Sequence, residues 1–231
     1  MSHLNILSGG AAHGLVASLA PAFQAKTGFE IRGEFGPVGG MAEKLRKGVA
    51  NDLIILTSAL VTKLAAEKLV APSSIKDVGV VETALAVRSG QPKVLARNAD
   101  ELRAAFLVAD AIFVPDTKIS TAGIHVAKVL ALLGIADEVA ARLKIYPNGA
   151  TAMRELAASN ARQPIGCTQS TEIISTRGVE LSGVLPRGCE LATTYTAGVT
   201  TSAAHAGEAQ ALIDLLTSAE ENETRARAGF L

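Results

Sequence analysis

Aromatic side chains are scarce in this 231-residue chain, which contains no Trp and only 3% aromatic residues in total. A surface that stacks nucleic-acid bases needs aromatic rings, so this scarcity argues against a base-stacking platform. Excess charge of either sign is also absent, because 22 Lys and Arg balance 22 Asp and Glu. A neutral chain has little attraction for nucleic acid or for an anionic membrane surface. We therefore expect no nucleic-acid partner.

Long apolar runs are missing as well. No apolar stretch reaches the length of about 18 residues that a transmembrane helix requires, so we expect no stable membrane insertion. No basic segment followed by an apolar one opens the sequence, which predicts a cytoplasmic protein. A periplasmic location would require that a signal peptide has been removed.

Cysteine is represented only by Cys167 and Cys189. Their separation allows a disulfide without implying one, and we expect Cys167 to be a buried free thiol. Metal-binding spacings such as HxxxH and CxxC do not occur, and neither do the P-loop, GxSxG or GxGxxG motifs. The sequence therefore predicts no metal and no cofactor.

Clusters of Gly, Ser, Thr and Asn are what the chain does contain, and six of them follow short apolar stretches. In most cases a helical pattern comes next, so a strand leads into a helix through small residues. Such a helix N-terminus binds anions through its backbone N–H groups and its dipole. Because none of the clusters contains Lys or Arg, we predict a site where several helix N-termini bind one small anion. The clusters are residues 8–10, 36–40, 57–58, 120–123, 148–151 and 168–171.

The order of apolar patterns predicts an α/β fold. Up to about residue 69 the patterns alternate as βαβαβα, which indicates a parallel sheet with right-handed crossovers. Two β-rich segments, residues 80–87 and 191–200, then bracket a second alternation. We interpret them as crossover strands that join lobe 1, at residues 1–85 and 195–231, to an inserted lobe 2 at residues 86–194. A last helix at residues 207–218 and a polar tail close the chain.

Several motifs in these elements are shared with a known family. The sequence FQAKTG at residues 23–28, together with Ile31 and the loop at 36–40, is similar to its first helix, second strand and second ligand loop. Residues 52–58 resemble its third strand, and residues 121–123 and 166–172 resemble two loops of its second lobe. The family is that of the type II periplasmic binding proteins, and the molybdate-binding proteins of ABC transporters are the most similar members. The resemblance implies two lobes with a ligand cleft between them, built on two mixed, mainly parallel sheets.

The sequence departs from molybdate-binding proteins at the ligand positions. Those proteins place a serine at the start of the first helix, where this chain has Ala11 with His13 just beyond. Their serine-rich second loop corresponds here to Gly-Pro-Val-Gly-Gly. The tyrosine of their last loop falls at about Gln169, and the following aspartate falls at Glu172. With fewer hydroxyl groups and an added His and Gln, the site fits an organic carboxylate at least as well as molybdate.

The loops and the resemblance together select the candidate ligand-binding residues, and a structural role competes with ligand contact at most of them. Thr57 could be a simple N-cap, and the pair Asn148-Gly149 is by default a turn. Gln169, a polar residue directly after a buried strand, needs a partner and favours ligand contact. The full set is Ser8, Gly9, Ala11, Gly39, Gly40, Thr57, Ser58, Thr121, Ala122, Asn148, Gly149, Thr168 and Gln169.

Two histidines bear on whether the protein only binds its ligand or also converts it as an enzyme. His13 and His125 each lie in the first turn of a predicted helix, where an imidazole could act as general acid or base. A histidine that is merely hydrogen-bonded at a helix start is the structural alternative.

Three functions follow from these candidates. The first is a receptor that traps a small anion, either a molybdate-like oxyanion or an organic acid, with an ABC permease as partner if the protein is exported. The second is an enzyme on the same fold, because some relatives that resemble molybdate binders isomerise unsaturated tricarboxylates, as aconitate isomerase does. In that case His13 or His125 would be the catalytic base. The third is a ligand-sensing domain for a partner protein.

Overall fold

The computed structural model describes residues 2–231, which form nine β-strands and ten α-helices. None of these described helices has the length and apolar character needed to cross a membrane. The strands are β1 Ser2–Gly9, β2 Phe29–Gly36, β3 Leu53–Thr57, β4 Lys76–Arg88, β5 Ala111–Pro115, β6 Leu143–Tyr146, β7 Pro164–Gln169, β8 Val179–Val184 and β9 Ala192–Val199. The helices are α1 His13–Thr27, α2 Val38–Arg46, α3 Ser58–Ala66, α4 Ala99–Val108, α5 Thr121–Leu132, α6 Ala136–Val139, α7 Gly149–Ala158, α8 Ser170–Ile174, α9 Ala206–Thr217 and α10 Asn222–Arg227.

The residues pack as two compact units. The division falls within β4, between Val81 and Glu82, and at the start of β9, between Ala192 and Thr193. Unit 1 comprises the described residues up to Val81 together with Thr193–Leu231. It is therefore built from two separate stretches of chain, whereas unit 2, Glu82–Ala192, is continuous.

The strand pairing is mixed. In unit 1, β1 pairs in parallel with β2 and β3, and β3 pairs antiparallel with β9. In unit 2, β5 pairs in parallel with β6 and β7, while β4 pairs antiparallel with β7 and β8. The pairs of unit 1 and those of unit 2 each form a mixed sheet, as expected. Strand β4 has 13 residues, which belong partly to unit 1 and partly to unit 2.

The parallel strands of each unit lead into helices through connections of no more than five residues. In unit 1, Gly9 at the end of β1 lies beside Gly36 at the end of β2, and Ser8 lies beside Ile55 of β3. The helices α1, α2 and α3 therefore start at one edge, which we call the carboxyl edge of unit 1. In unit 2, β5, β6 and β7 lead into α5, α7 and α8, and their ends form the carboxyl edge of unit 2.

Apolar side chains at helical and strand periods form the cores. In α1, Leu15, Leu19 and Phe23 recur every four residues and are buried in the core of unit 1. The helix ends at Gly28, which adopts a left-handed conformation with φ of 75°. A left-handed residue terminates helices, and glycine adopts this conformation at least cost. In unit 2, α7 contributes Met153 and Leu156 to one of two buried apolar clusters.

The end of the chain pairs with β4 inside unit 1. The Leu231 N–H donates to the Val80 carbonyl and the Val80 N–H donates to the Leu231 carbonyl, both at 2.9 Å. Phe230 is buried, with its ring edge-on to Tyr195. Gly79 has φ of 154°, and a Cβ atom there would lie 3.0 Å from the Leu231 carbonyl oxygen. The absence of a side chain at Gly79 thus lets the terminal residues approach β4.

Both cysteines are buried free thiols, as expected for Cys167. Burial raises the pKa of the Cys167 thiol to about 12. Because the thiolate is the reactive form of cysteine, this thiol is inert at neutral pH.

Candidate functional site

The three helix starts at the carboxyl edge of unit 1 lack caps from their own N-cap residues. Within the described chain, the side chains of Ala12, Pro37 and Thr57 accept no hydrogen bond from α1, α2 and α3, respectively. The first amides of a helix have no partner within the helix and are satisfied by caps, water or ligands. These three starts are therefore chemically suited to an anion.

The glycines of α2 leave space at this edge. Gly39 and Gly40 are the second and third residues of the helix, and both are exposed. A Cβ atom at either position would meet no described atom within 4 Å. Packing within the chain does not require glycine there, whereas close approach of a ligand to the backbone would.

The other unit 1 candidates differ in accessibility. Thr57 and Ser58, at the junction of β3 and α3, are half-buried. Ala11 is buried, and Ser8 is fully buried with its hydroxyl donating to the Gly9 carbonyl at 3.0 Å. Among these hydroxyl groups, those of Thr57 and Ser58 are the better placed to reach a ligand.

Tyr195 is a residue of this edge that sequence analysis missed. It lies on β9 opposite Thr57, and its ring is buried. A Cβ atom at Gly9 would lie 2.8 Å from the Tyr195 ring and 2.9 Å from Val38. Glycine at position 9 is thus required by packing against the tyrosine. No local sequence pattern around Tyr195 indicates this contact with Gly9. The contact depends on the pairing of β3 with β9, which lies far along the chain.

His13 is the first residue of α1, and its side chain is exposed. Its ring lies edge-on to Phe35 near the end of β2, with ring centroids 4.7 Å apart. The structure therefore places a proton-exchanging group at the carboxyl edge of unit 1.

In unit 2, α5 has a start similar to those of unit 1. The side chain of its N-cap, Ser120, accepts no hydrogen bond from α5 in the described structure. Thr121 is half-buried and Ala122 is buried. A Cβ atom at Gly123 would collide with the carbonyl oxygens of Pro115 and Asp116, so the glycine permits close contact between β5 and the first turn of α5.

The start of α7, by contrast, is satisfied by the protein itself. Asn148 caps the helix, because its Oδ1 accepts the Thr151 N–H at 2.8 Å. The carboxyl group of Glu172 lies beside the backbone of Gly149, where a Cβ atom would fall 1.9 Å from Oε2. The backbone amides of Gly149 and Ala150 act to lower the pKa of this carboxyl group. At Asn148 the structure therefore shows the structural alternative, a helix cap, and at Gly149 it shows a protein carboxyl group beside the helix start.

Glu172 collects further donors from β7 and α8. The Thr168 hydroxyl donates to Glu172 Oε2 at 2.6 Å, and the backbone N–H of Gln169 donates to the same carboxyl group. Burial raises the pKa of Glu172, and the hydrogen bonds from these donors and from α7 act in the opposite direction. The Thr168 hydroxyl is thus engaged within unit 2, while Gln169 is the buried N-cap residue of α8.

His125 has a fixed hydrogen bond within unit 2. Its Nε2 lies 2.8 Å from the carbonyl oxygen of Cys189. Because a carbonyl oxygen can only accept, Nε2 carries the hydrogen, and Nδ1 is the nitrogen that remains as an acceptor in the neutral ring. His13 and His125 belong to different units, and each is a candidate base in its own unit.

Basic side chains near the loops have partners of their own. Arg46 binds Glu67 through two nitrogens and also Glu43, and these bonds raise its pKa. Arg88 donates to the carbonyl groups of Ser159 and Ala161.

Over residues 2–231, no group of three or more His, Cys, Asp or Glu side chains is arranged to hold a metal ion.

Comparison with known proteins agrees with this fold. The profile of the bacterial extracellular solute-binding protein family matches residues 4–231, so the chain belongs to that family. In structure, the chain is similar to the periplasmic molybdate-binding protein of Azotobacter vinelandii, with a TM-score of 0.81 and 19% identity over 99% of this chain and 98% of that one. It is also similar to the sulfate-binding protein SubI of Mycobacterium tuberculosis, with a TM-score of 0.76 and 18% identity over 100% and 86% of the two chains. The expected type II periplasmic binding protein fold is thereby confirmed.

Among curated proteins, the chain is similar to an aconitate isomerase from a Pseudomonas species. The two sequences are 25% identical over 221 residues, which cover 93% of this chain and 82% of the isomerase. The chain is thus similar both to binding proteins and to a relative that is named as an enzyme.

Proposed function

We propose that the protein binds a small organic anion through helix N-termini and hydroxyl groups. The observation that carries this proposal is the group of three helix starts at the carboxyl edge of unit 1, where no N-cap side chain of the described residues accepts a hydrogen bond from its helix. Exposed Gly39 and Gly40 and the half-buried Thr57 and Ser58 would donate hydrogen bonds there. Hydrogen bonds to a charged acceptor are stronger than neutral ones, so such a site needs no arginine or lysine.

A carboxylate fits this site better than molybdate does. The edge offers mainly backbone amides, with His13 at the start of α1, rather than the ring of serine hydroxyls expected for molybdate. The relatives named for molybdate and sulfate support an anion as ligand, and the relative named aconitate isomerase supports a polycarboxylate. We therefore infer a di- or tricarboxylate ligand.

A thermal-shift screen tests the ligand class. Molybdate, tungstate, sulfate and a series of mono-, di- and tricarboxylates are compared at equal ionic strength. A ligand at about one hundred times its Kd should stabilise the protein by about 2.7 kcal/mol. For a chain of this size that corresponds to a rise in Tm of about 5 to 10 °C. A rise with molybdate and tungstate but with no carboxylate would contradict the proposed ligand class.

The second candidate function is isomerisation of an unsaturated carboxylate. It is supported by the similarity to an aconitate isomerase and by the exposed imidazole of His13 at the proposed anion site. In such a reaction a base removes a proton next to a carboxylate, and the amides of the helix starts stabilise the developing negative charge.

Solvent exchange separates the two functions. Each carboxylate that binds is incubated with the protein in D2O and followed by NMR. An isomerase exchanges a carbon-bound hydrogen of the ligand for deuterium, and His13→Asn abolishes the exchange while binding persists. A receptor leaves the ligand unlabelled, and His13→Asn only weakens binding. His205→Asn is the matched control, because His205 also packs edge-on against a phenylalanine, Phe29, but lies at the start of α9.

The two functions also differ in the partner they need. A receptor would deliver its ligand to an ABC permease, whereas an isomerase needs no permease. Ligand uptake by cells that lack the protein distinguishes these cases, since only loss of a receptor reduces uptake.

A further inference from the structure

One carboxyl group in unit 2 serves the starts of two helices. Glu172 is the third residue of α8, and it accepts the N–H of Gln169, the N-cap residue of that helix. This bond is the return half of a capping box. The same carboxyl group lies against the start of α7, where a Cβ atom at Gly149 would fall 1.9 Å from Glu172 Oε2, and the amides of Gly149 and Ala150, the first two residues of α7, act to lower its pKa. With the Thr168 hydroxyl, four donors converge on a side chain that is 6% exposed.

The lack of a side chain at Gly149 leaves room for this carboxyl group. A Cβ atom at Gly149 would collide with Glu172 Oε2 and with Thr168 Oγ1. Glycine at this position therefore reflects the approach of the carboxyl group to the backbone. Asn148 covers the next free amide of α7, that of Thr151. The start of α7 is thus an anion site whose occupant belongs to the protein.

We propose that Glu172 is a positioning residue, whose carboxyl group occupies the start of α7 in place of an external ligand and holds the β7–α8 corner, including Gln169, against that helix. Ligand recognition by the carboxyl edge of unit 2 would then depend on the start of α5 and on Gln169 rather than on α7. The inference rests on contacts within unit 2. It is independent of the ligand proposed above, because its test measures thermal stability and the binding of acetate where the Glu172 carboxyl group has been removed.

Chemical rescue tests the proposal directly. Glu172→Ala removes a fragment with the size of acetate and leaves the four donors in place. We expect Tm to fall by at least about 5 °C, because buried donors lose their acceptor. Acetate should then raise the Tm of the variant in a saturable manner, whereas acetamide, whose NH2 group would face the donors of the site, should not.

Two comparisons make the rescue specific. The wild-type protein and the variant Glu155→Ala, in which an exposed glutamate of α7 is truncated, should show no saturable response to acetate. An equal response to acetate and acetamide in Glu172→Ala, or an equal response to acetate in Glu155→Ala, would overturn the proposal.

If Glu172→Ala does not fold, two milder variants at Thr168 test the same proposal. Thr168→Val removes one donor while keeping the shape of the side chain, and Thr168→Ser restores the hydroxyl. We expect Thr168→Val to melt several degrees below the wild-type protein and Thr168→Ser to melt close to it. Equal melting temperatures for the two variants would show that the bond between Thr168 and Glu172 positions nothing.

Discussion

The carboxyl edges of the two units share one architecture, but their helix starts differ in the partners that the protein supplies. Each edge consists of parallel strands that lead into helices. In unit 1 the starts of α1, α2 and α3 receive no cap from their own N-cap side chains, and the described residues leave open space beside Gly39 and Gly40. In unit 2 the starts of α7 and α8 have Asn148 and Glu172 as partners, and only the start of α5 resembles those of unit 1 in the described structure.

This difference shows that a strand–glycine–helix motif does not identify an anion site by itself. Glycine lies in the first turn of both α2 and α7, yet of these two described starts only that of α7 has a protein carboxyl group beside it. What separates them is a carboxyl group supplied from elsewhere in the fold. The following predictions test this contrast between an open edge and a filled one.

The largest expected effect is that of Gly149→Ala, which places a methyl group against Glu172 and Thr168. We expect the free energy of unfolding to fall by at least about 2 kcal/mol, because overpacking is added to lost hydrogen bonds. Gly39→Ala is the matched variant in unit 1. It should change the free energy of unfolding by no more than about 1 kcal/mol, since the added methyl group would have no described atom within 4 Å. Urea denaturation measures both. Similar losses in the two variants would remove the proposed distinction between the edges.

The burial of Glu172 predicts a pH-dependent effect. Burial raises its folded-state pKa above the ordinary value of 4.5, so the folded protein binds this proton more tightly than the unfolded chain does. The resulting stability is fully present below about pH 4.5 and is lost as pH rises towards the folded-state pKa. Glu172→Gln carries no such proton.

Relative to Glu172→Gln, the wild-type protein should therefore lose several degrees in Tm as pH rises from 4 to 8. Melting curves of both proteins in the same buffers measure this difference, in which all other titrating groups cancel. A constant difference in Tm across this range would show that the carboxyl group is not held in the buried position.

In unit 1, Thr57→Ala should affect binding and leave stability unchanged. Loss of one hydrogen bond to a charged ligand costs about 1.5 to 3 kcal/mol, which corresponds to a rise in Kd of about ten-fold or more. Isothermal titration with the carboxylate selected by the thermal-shift screen measures this. Thr62→Ala, at an exposed position of α3, should bind as the wild-type protein does. An unchanged Kd in Thr57→Ala would exclude its hydroxyl from the site.

The smallest effect is expected for Asn148→Ala in unit 2. Removal of the cap on Thr151 should lower the free energy of unfolding by about 1 kcal/mol. Ligand affinity should stay within about two-fold of the wild-type value, because Asn148 is a helix cap in the filled edge. A large loss of affinity with unchanged stability would show that Asn148 contacts the ligand.

Much of the fold could be predicted from the sequence because its periodic patterns are strong. The buried run of β3 and the four-residue period of α1 both lie where they were expected. The strand predicted at residues 80–87 is longer, since β4 begins at Lys76. Its first two residues, Lys76 and Asp77, are exposed and polar, and Asp77 Oδ1 accepts a hydrogen bond from the Thr196 hydroxyl of β9 at 2.6 Å, a contact that no local pattern indicates. Similarly, the polar tail includes α10, although none of the residues of that helix is buried.

The candidate site was less predictable because its decisive contacts join distant residues. Asn148 and Gly149 have the composition of an anion loop, and nothing near them reveals that Glu172 fills it. A partial signal exists, since Glu172 stands three residues after the N-cap Gln169, which is the spacing of a capping box. Tyr195 gave no signal of this kind, because its position beside Gly9 follows from the pairing of β3 and β9.

The discontinuity of unit 1 sets the order in which the protein can assemble during synthesis. Unit 2 is one stretch, Glu82–Ala192, and all of it has been made before Thr193, where the second stretch of unit 1 begins. Unit 1 needs β9 beside β3, and it needs Phe230 and Leu231 against β4, so it cannot close until these residues have been synthesised. Because domains generally fold as units on emergence, the inserted unit folds first. Residues 2–81, which include the edge we propose as the anion site, complete their packing only after β9 and Phe230 and Leu231 have been made.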